Sequence, residues 1–429
     1  MSSRCLLLFP PQWIPTAPHL VGPAIHSILK NNGHDVRLVD LNAEFYETVL
    51  TPQYLYDAVK AAFDDFKANA DAIFRACPDE AALKDRPKEF QAAFLRYREI
   101  YRMARRDEYR DVIRRIETAT ATYRDKDAFY DPKRVDEATE VIVKACGILS
   151  AVHHPSWLYF LTPNVKIYYS VESLREDCEN AKGNIFRGFF APRLAGLLRD
   201  DPRFIGISIG DYSQLLPGLT LAMMLKEATD AHVCIGGNLF VRYTDVLVNN
   251  PEFFRLFADS VILNEGERPV IELLRHLEGK IAIGQVPNLM YLTAEGKIAV
   301  NDEAPPIPAE ELFPPEFADL QANRYFLPEF IYNVQASRSC YWRKCVFCTH
   351  HAGSRYAVKP VAVMIAELRA LQAAHGARYF RFVDEAVSPA YLRRLAAAII
   401  DAGLEINFYI YARFEEGFDE DLFRLAHRA

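Results

Sequence analysis

Cys340, Cys345 and Cys348 stand in the run Ser-Arg-Ser-Cys340-Tyr-Trp-Arg-Lys-Cys345-Val-Phe-Cys348-Thr-His-His. Three thiolates this close can grip one metal centre, and three is one short of what a cubane iron–sulfur cluster needs. A four-iron cluster with three protein ligands keeps one iron open to a small molecule, and the chemistry is expected at that open corner. The competing assignment is a structural zinc site, with His350 completing a Cys3His set. Sites of that kind usually nucleate small metal-held modules, whereas this triplet opens a series of elements with an apolar core of its own. Under the cluster assignment His350 and His351 are loop residues.

The elements that must position the thiols follow a regular order. Residues 331–336 read as a strand. Pro360 opens a helix over 361–374, where its missing N–H has no partner to lose. A strand over 378–383 ends in Asp384-Glu385, and a helix over 389–402 follows. A third strand, 406–412, runs into Arg413, and the last helix covers 419–427. This alternation predicts parallel β/α units. The cysteines, with a basic glycine-containing loop at 353–359, then leave the carboxyl end of the first strand, the face on which open α/β and barrel sites are built.

A cysteine triplet in that place, with Phe347 directly before the last cysteine, resembles the radical S-adenosylmethionine enzymes. Their usual spacing is C-x3-C-x2-C; here it is C-x4-C-x2-C, and the form Cys340-Tyr-Trp-Arg-Lys-Cys345 is similar to that of a cobalamin-associated branch. The resemblance implies a [4Fe-4S] cluster held by Cys340, Cys345 and Cys348, with S-adenosyl-L-methionine on the open iron. By position, Phe347 would lie near the adenine, Asp384 and Glu385 would meet the amino group, and Arg413 would meet the carboxylate.

The chain begins with a second α/β pattern. Residues 4–9 form a continuous apolar run, as in a parallel sheet buried on both faces. A proline-rich loop and a helix over about 20–32 follow, with Gly33 at the usual C-cap place. Further strands are expected at 35–41, 204–209, 232–235 and 260–263, with helices over 215–229 and 269–277. Five strands with helices between them suit a flavodoxin/Rossmann-like sheet, whose ligand sits beyond the strands' carboxyl ends. The loops there carry Pro10, Trp13, Ser208, Asp211, Gln214, Gly236, Gly237, Asn238, Asn264, Glu265 and Gly266. Taken in order, these stretches resemble the cobalamin-binding domain that precedes the radical domain in many such enzymes, which implies cobalamin contacts from those residues. No Asp-x-His-x-x-Gly motif occurs, so the resemblance implies no histidine on the cobalt's lower face.

The fold class expected is therefore α/β. A cobalamin-binding domain (1–42 plus 201–283) carries a large helical insertion (43–200). A hairpin and proline-rich linker (284–330) leads to a partial radical S-adenosylmethionine β/α barrel (331–429). The insertion shows spaced apolar residues over 52–76, 80–114 and 136–150 and is expected to cover one edge of the first sheet. The 99 residues from 331 to 429 hold three β/α units at about 31 residues each, so the barrel is incomplete, and the polypeptide is either truncated or completed by a second chain.

Composition bounds the partners. The net charge of −7 argues against nucleic acid, and no apolar stretch reaches the length of a membrane span. Eight cysteines in a chain without a secretory signal indicate a reducing cytoplasm. The resemblance implies a cobalamin-dependent radical methyltransferase, or a related transformation, at an unactivated carbon of a peptide or small-molecule natural-product intermediate. It also implies an electron donor such as flavodoxin or ferredoxin. The alternatives are a non-catalytic or regulatory cobalamin-binding protein with a degenerate barrel, and a zinc-stapled α/β interaction protein.

Overall fold

The computed structural model describes residues 3–78, 80–163, 166–348 and 356–429. The first sheet is built on β1 (Arg4–Phe9), whose residues from Cys5 onward are all buried. Around it stand β2 (Asp35–Asp40), β3 (Phe204–Ser208), β4 (His232–Gly236), β5 (Ser260–Ile262), β6 (Leu289–Leu292) and β7 (Ile298–Val300). The order is β2-β1-β3-β4-β5-β6-β7. The first five strands are parallel, and β6 and β7 join antiparallel. The parallel part has the doubly wound 2-1-3-4-5 order, in which the chain changes direction between β1 and β3 and leaves a crevice at their carboxyl ends. The hairpin at 289–300, expected within a linker, is thus part of the sheet, with Gly296 at φ +76° making its turn.

The helical insertion covers a face of this sheet, where an edge had been expected. Leu6, Leu8, Ile205, Ile207 and Ile235 share one apolar core with the insertion's Phe45, Tyr46, Ile142, Phe186 and Phe190. Helix Leu215–Ala228 is buried along most of its length, which is why its sequence shows no polar stripe. The opposite face, with Cys5, Leu7, Phe204 and Cys234, packs under helices Val21–Asn31 and Glu267–Leu277. Helix Pro52–Ala76 starts as its sequence predicts, with Pro52 after the Thr51 cap. The helix-rich stretch over 80–114 holds two helices: Lys88–Arg106 ends at Asp107, φ +51°, and a new helix begins at Tyr109.

The second sheet has three parallel strands, β8 (Ile331–Val334), β11 (Tyr379–Phe382) and β12 (Asn407–Tyr409), in the order β12-β11-β8. Helices Val361–His375 and Pro389–Asp401 cover one face through Tyr332, Val334, Phe380 and Phe382. Between β8 and the first of these helices, β9 (Ser337–Arg338) and β10 (Ala357–Val358) form a two-residue antiparallel ladder. The proline-rich connector runs along the first unit: Asp319 accepts the N–H of Leu38 at the β2 edge, and Pro314 O accepts from Ser27. Among the described residues no helix is long and apolar enough to cross a membrane.

Candidate functional site

The β9–β10 ladder closes the base of the loop that carries all three cysteines. Asp384, just past β11, is buried and accepts hydrogen bonds from the N–H of Ala336 (3.0 Å) and from the N–H and Oγ of Ser337. Burial pushes its carboxyl upward, and the bonds from Ser337 and Ala336 pull against that. Asp384 therefore fixes the strand end from which the loop departs, a task different from the expected contact with an amino group. Glu385 is exposed beside it.

Five of the eight cysteines, Cys5, Cys77, Cys146, Cys178 and Cys234, are buried; Cys340, Cys345 and Cys348 are half-buried, and none of the eight forms a disulfide. Burial pushes the thiols of Cys5, Cys146, Cys178 and Cys234 up to about 12. The triplet spaced for a metal is thus also the triplet open to one. Among the described residues no three His, Cys, Asp or Glu side chains are grouped closely enough to hold a metal ion, so the thiols share a loop without converging. His350, the alternative zinc ligand, His351 and the start of the basic loop at 353–355 lie outside the described residues. Phe347, expected near an adenine, is 86% exposed.

The residues between Cys340 and Cys345 are anchored on the loop after β12. The guanidinium carbon of Arg413 lies 3.5 Å from the Trp342 ring centroid, and Lys344 Nζ lies 4.8 Å from it. Arg413 also pairs with Glu415 at 2.7 Å, and Glu415 accepts from the Tyr341 hydroxyl. Arg413, expected to meet a carboxylate of the cosubstrate, is engaged by Glu415 instead.

At the carboxyl end of the first sheet, several expected ligand contacts are spent within the chain. Gln214 is fully buried. Its Nε2 donates to Pro10 O (2.9 Å) and its Oε1 accepts from Gly210 N–H (3.0 Å), tying the loop after β1 to the loop after β3 across the switch point. Asp211 accepts from the N–H and Oγ of Ser213. Trp13 N–H donates to Asn42, and its ring meets His19 edge-on at 4.9 Å. Gly237, at φ +130°, is required by packing: a Cβ there would stand 2.0 Å from Ile209 O. Gly236 differs, since a Cβ added to it meets nothing within 4 Å. Asn264 is at φ +55°, turning the chain after β5; Ser208, Glu265 and Gly266 are half-buried, and Asn238 is exposed.

The carboxyl ends of the two sheets meet at Arg338 of β9. Its guanidinium pairs with Glu265 in the loop after β5, and at 2.5 Å with Glu267, the first residue of the helix that follows. Burial lowers Arg338 to about 10 and raises Glu267, yet the arginine stays charged at neutral pH. Asn333 of β8 donates to Pro18 O in the loop after β1. The sequence pointed to Glu265 but not to Arg338, Asn333 or Trp342. Of these only Arg338, a charged residue directly before Ser-Cys340, carried a local signal.

No family model matches the chain, and no curated protein matches it. Solved structures align with it more loosely. The radical S-adenosylmethionine methyltransferase TsrM from Kitasatospora setae, with cobalamin and a [4Fe-4S] cluster bound, superposes at a TM-score of 0.48 and 13% identity, covering 99% of this chain and 57% of TsrM. The cobalamin-dependent S-adenosylmethionine radical enzyme OxsB, with aqua-cobalamin and S-adenosylmethionine bound, superposes at 0.45 and 16% identity, covering 55% of this chain and 35% of OxsB. The chain thus spans only part of the length of either. At these scores the likeness decides neither the fold nor the chemistry.

Proposed function

We propose that this chain is a cobalamin-dependent radical S-adenosylmethionine protein of the methyltransferase kind, acting on a peptide or small-molecule substrate. One observation carries the reading. The loop holding the three half-buried cysteines is tied by Arg338 to Glu265 and Glu267, beyond the carboxyl end of a 2-1-3-4-5 sheet. A cluster loop and a corrinoid crevice need to face each other in just this way.

The residues fit the groups in donor chemistry. Cys340, Cys345 and Cys348 would supply three thiolates to a [4Fe-4S] cluster. Gly236, whose Cα faces open space, would let a corrinoid approach the backbone. Trp13, Asn238 and Glu265 follow the carboxyl ends of β1, β4 and β5 and would add contacts from the same edge of the sheet. When bound, the three groups supply reductive cleavage of a sulfonium and a transferable methyl group.

The chain's own part is placement. Asp384 fixes where the cysteine loop starts, Arg413 and Glu415 hold Tyr341 and Trp342, and Arg338 sets the loop against the first sheet. A substrate held between the two units would react with little orientational freedom left to lose. Phe347 and Glu385, both exposed, stand on the loops that S-adenosylmethionine would meet as it binds. The exposed Val346-Phe347 tip leaves room for a small electron donor of the flavodoxin or ferredoxin kind.

The test is cleavage of S-adenosylmethionine by protein reconstituted with iron and sulfide without air and reduced with dithionite. The unaltered chain should release 5′-deoxyadenosine or a demethylated product, and Cys345→Ala should release neither. Equal turnover by the two proteins would overturn the reading. Failure of the chain to retain hydroxocobalamin on gel filtration would remove the corrinoid half.

A further inference from the structure

Three side chains on the second sheet stand at one level. Asn333 of β8 and Tyr409 of β12 are both register partners of Arg381 in β11. Side chains alternate along a strand, and Tyr332, Val334, Phe380 and Phe382 are in the core beneath the helices. Asn333, Arg381 and Tyr409 therefore face the other way, toward the loop after β1, which Asn333 touches at Pro18.

Arg381 is partnered by rings where a carboxylate would be usual. Its Nη2 donates to the Tyr411 hydroxyl at 2.7 Å, and its guanidinium carbon lies 5.9 and 5.8 Å from the ring centroids of Tyr409 and Tyr411. Its Nε is buried without a hydrogen-bond partner. Asn333 is 6% exposed; its donation to Pro18 O fixes the amide's orientation and leaves Oδ1 buried, also without a partner. A donor and an acceptor left unpaired in this way cost about 1–3 kcal/mol each, a cost that a ligand offering the complementary pair would remove. Tyr409 and Tyr411 are about half exposed, so a ligand reaches the two buried atoms by displacing these rings.

We propose that Arg381 and Asn333 form a binding subsite for a carboxylate with an N–H donor beside it, the chemistry of an α-amino acid or of a peptide's C-terminal residue. Arg381 donates to the carboxylate, the ligand's N–H donates to Asn333 Oδ1, and Tyr409 and Tyr411 flank the ligand. Neighbouring strands lie about 4.8 Å apart, so one amino-acid backbone reaches both groups. This names the substrate class for the function proposed above and rests on that reading. The methionyl part of S-adenosylmethionine has the same chemistry, and the test separates the two sources.

The experiment is calorimetric titration of the full chain, using L-phenylalanine, L-phenylalaninamide and 3-phenylpropionate on protein without cluster or corrinoid, and S-adenosylmethionine on protein reconstituted with iron and sulfide. L-Phenylalanine should bind. The amide, lacking the carboxylate, and the propionate, lacking the N–H, should each bind about tenfold more weakly or worse, as loss of a charge-assisted bond requires. Arg381→Gln and Asn333→Ala should weaken L-phenylalanine by a similar factor and leave S-adenosylmethionine within about twofold. Equal binding of acid and amide, unchanged binding by R381Q, or no heat from L-phenylalanine up to about 20 mM overturns the proposal. Loss of S-adenosylmethionine alone in R381Q would give the subsite to the cosubstrate and overturn it equally. If R381Q does not fold, the acid-against-amide comparison on the unaltered chain decides. None of the L-phenylalanine arms needs iron or cobalt, so their failure is distinct from failure of the reading above, which turns on sulfonium cleavage.

Discussion

The guanidinium carbon of Arg413 lies over the Trp342 ring, 3.5 Å from its centroid. Trp342 belongs to the four-residue spacer between Cys340 and Cys345, and Arg413 follows the third strand of the same sheet. The longer spacing of the cysteine motif is thus used: it provides a ring that clips the loop to the far strand.

Trp342→Ala should therefore loosen the loop without unfolding the unit. The loss of a cation–π contact is worth about 1–2 kcal/mol, and it should appear as several-fold faster release of iron to a chelator from reconstituted protein. Trp342→Phe should restore most of the retention. Equal release rates from W342A and the unaltered chain would show that the ring does not hold the loop.

Arg338→Gln removes the cation between two partly buried carboxylates. Leaving such charges unpaired costs about 3–5 kcal/mol, so the cofactor-free variant should melt several degrees lower. Glu265→Gln together with Glu267→Gln should recover part of the loss in the R338Q background. An unchanged melting temperature in R338Q would contradict the junction described here.

Gly236 and Gly237 should respond in opposite ways. Gly237→Ala places a Cβ 2.0 Å from Ile209 O on a backbone with φ +130°, so it should lower expression and thermal stability sharply. Gly236→Ala meets open space and should fold normally while retaining less hydroxocobalamin. Equal stability of the two variants would show that the loops after β3 and β4 are not packed together at Gly237.

His19 stacks on Phe9, with ring centroids 5.1 Å apart, and burial, with the charge of Arg381 adding to it, lowers its pKa from 6.5 to about 4. A histidine held neutral in the fold contributes stability that is complete above about pH 6.5 and lost as the pH falls toward 4. The loss amounts to at most about 3 kcal/mol. His19→Phe should flatten the stability profile between those limits, as read by urea unfolding at pH 7.5 and 4.5. An identical pH dependence in the variant would exclude His19 as its source.

Much of the architecture was legible in the residues because burial on both faces leaves a continuous apolar run, as in Arg4–Phe9, and because residues such as Pro360, just before helix Val361–His375, mark helix starts. The strands β9 and β10 were not legible, since two residues are too few for any period. Gln214 and Gly237 read equally well as ligand contacts or as packing, and only the position of Pro10 O and Ile209 O separates the two. Arg338 could not be matched to Glu265 and Glu267 from sequence, because tertiary folding alone brings a strand end to a loop some seventy residues earlier. Asp384 stood where expected, but its bonds to Ala336 and Ser337 gave it a different task.

The measurement that bears most directly on the account is iron and acid-labile sulfide in protein reconstituted without air. About four irons and four sulfides per chain are predicted, and they should be lost when Cys340, Cys345 and Cys348 are replaced together by Ala. One zinc per chain with no sulfide, or a full iron complement in the triple variant, would contradict it.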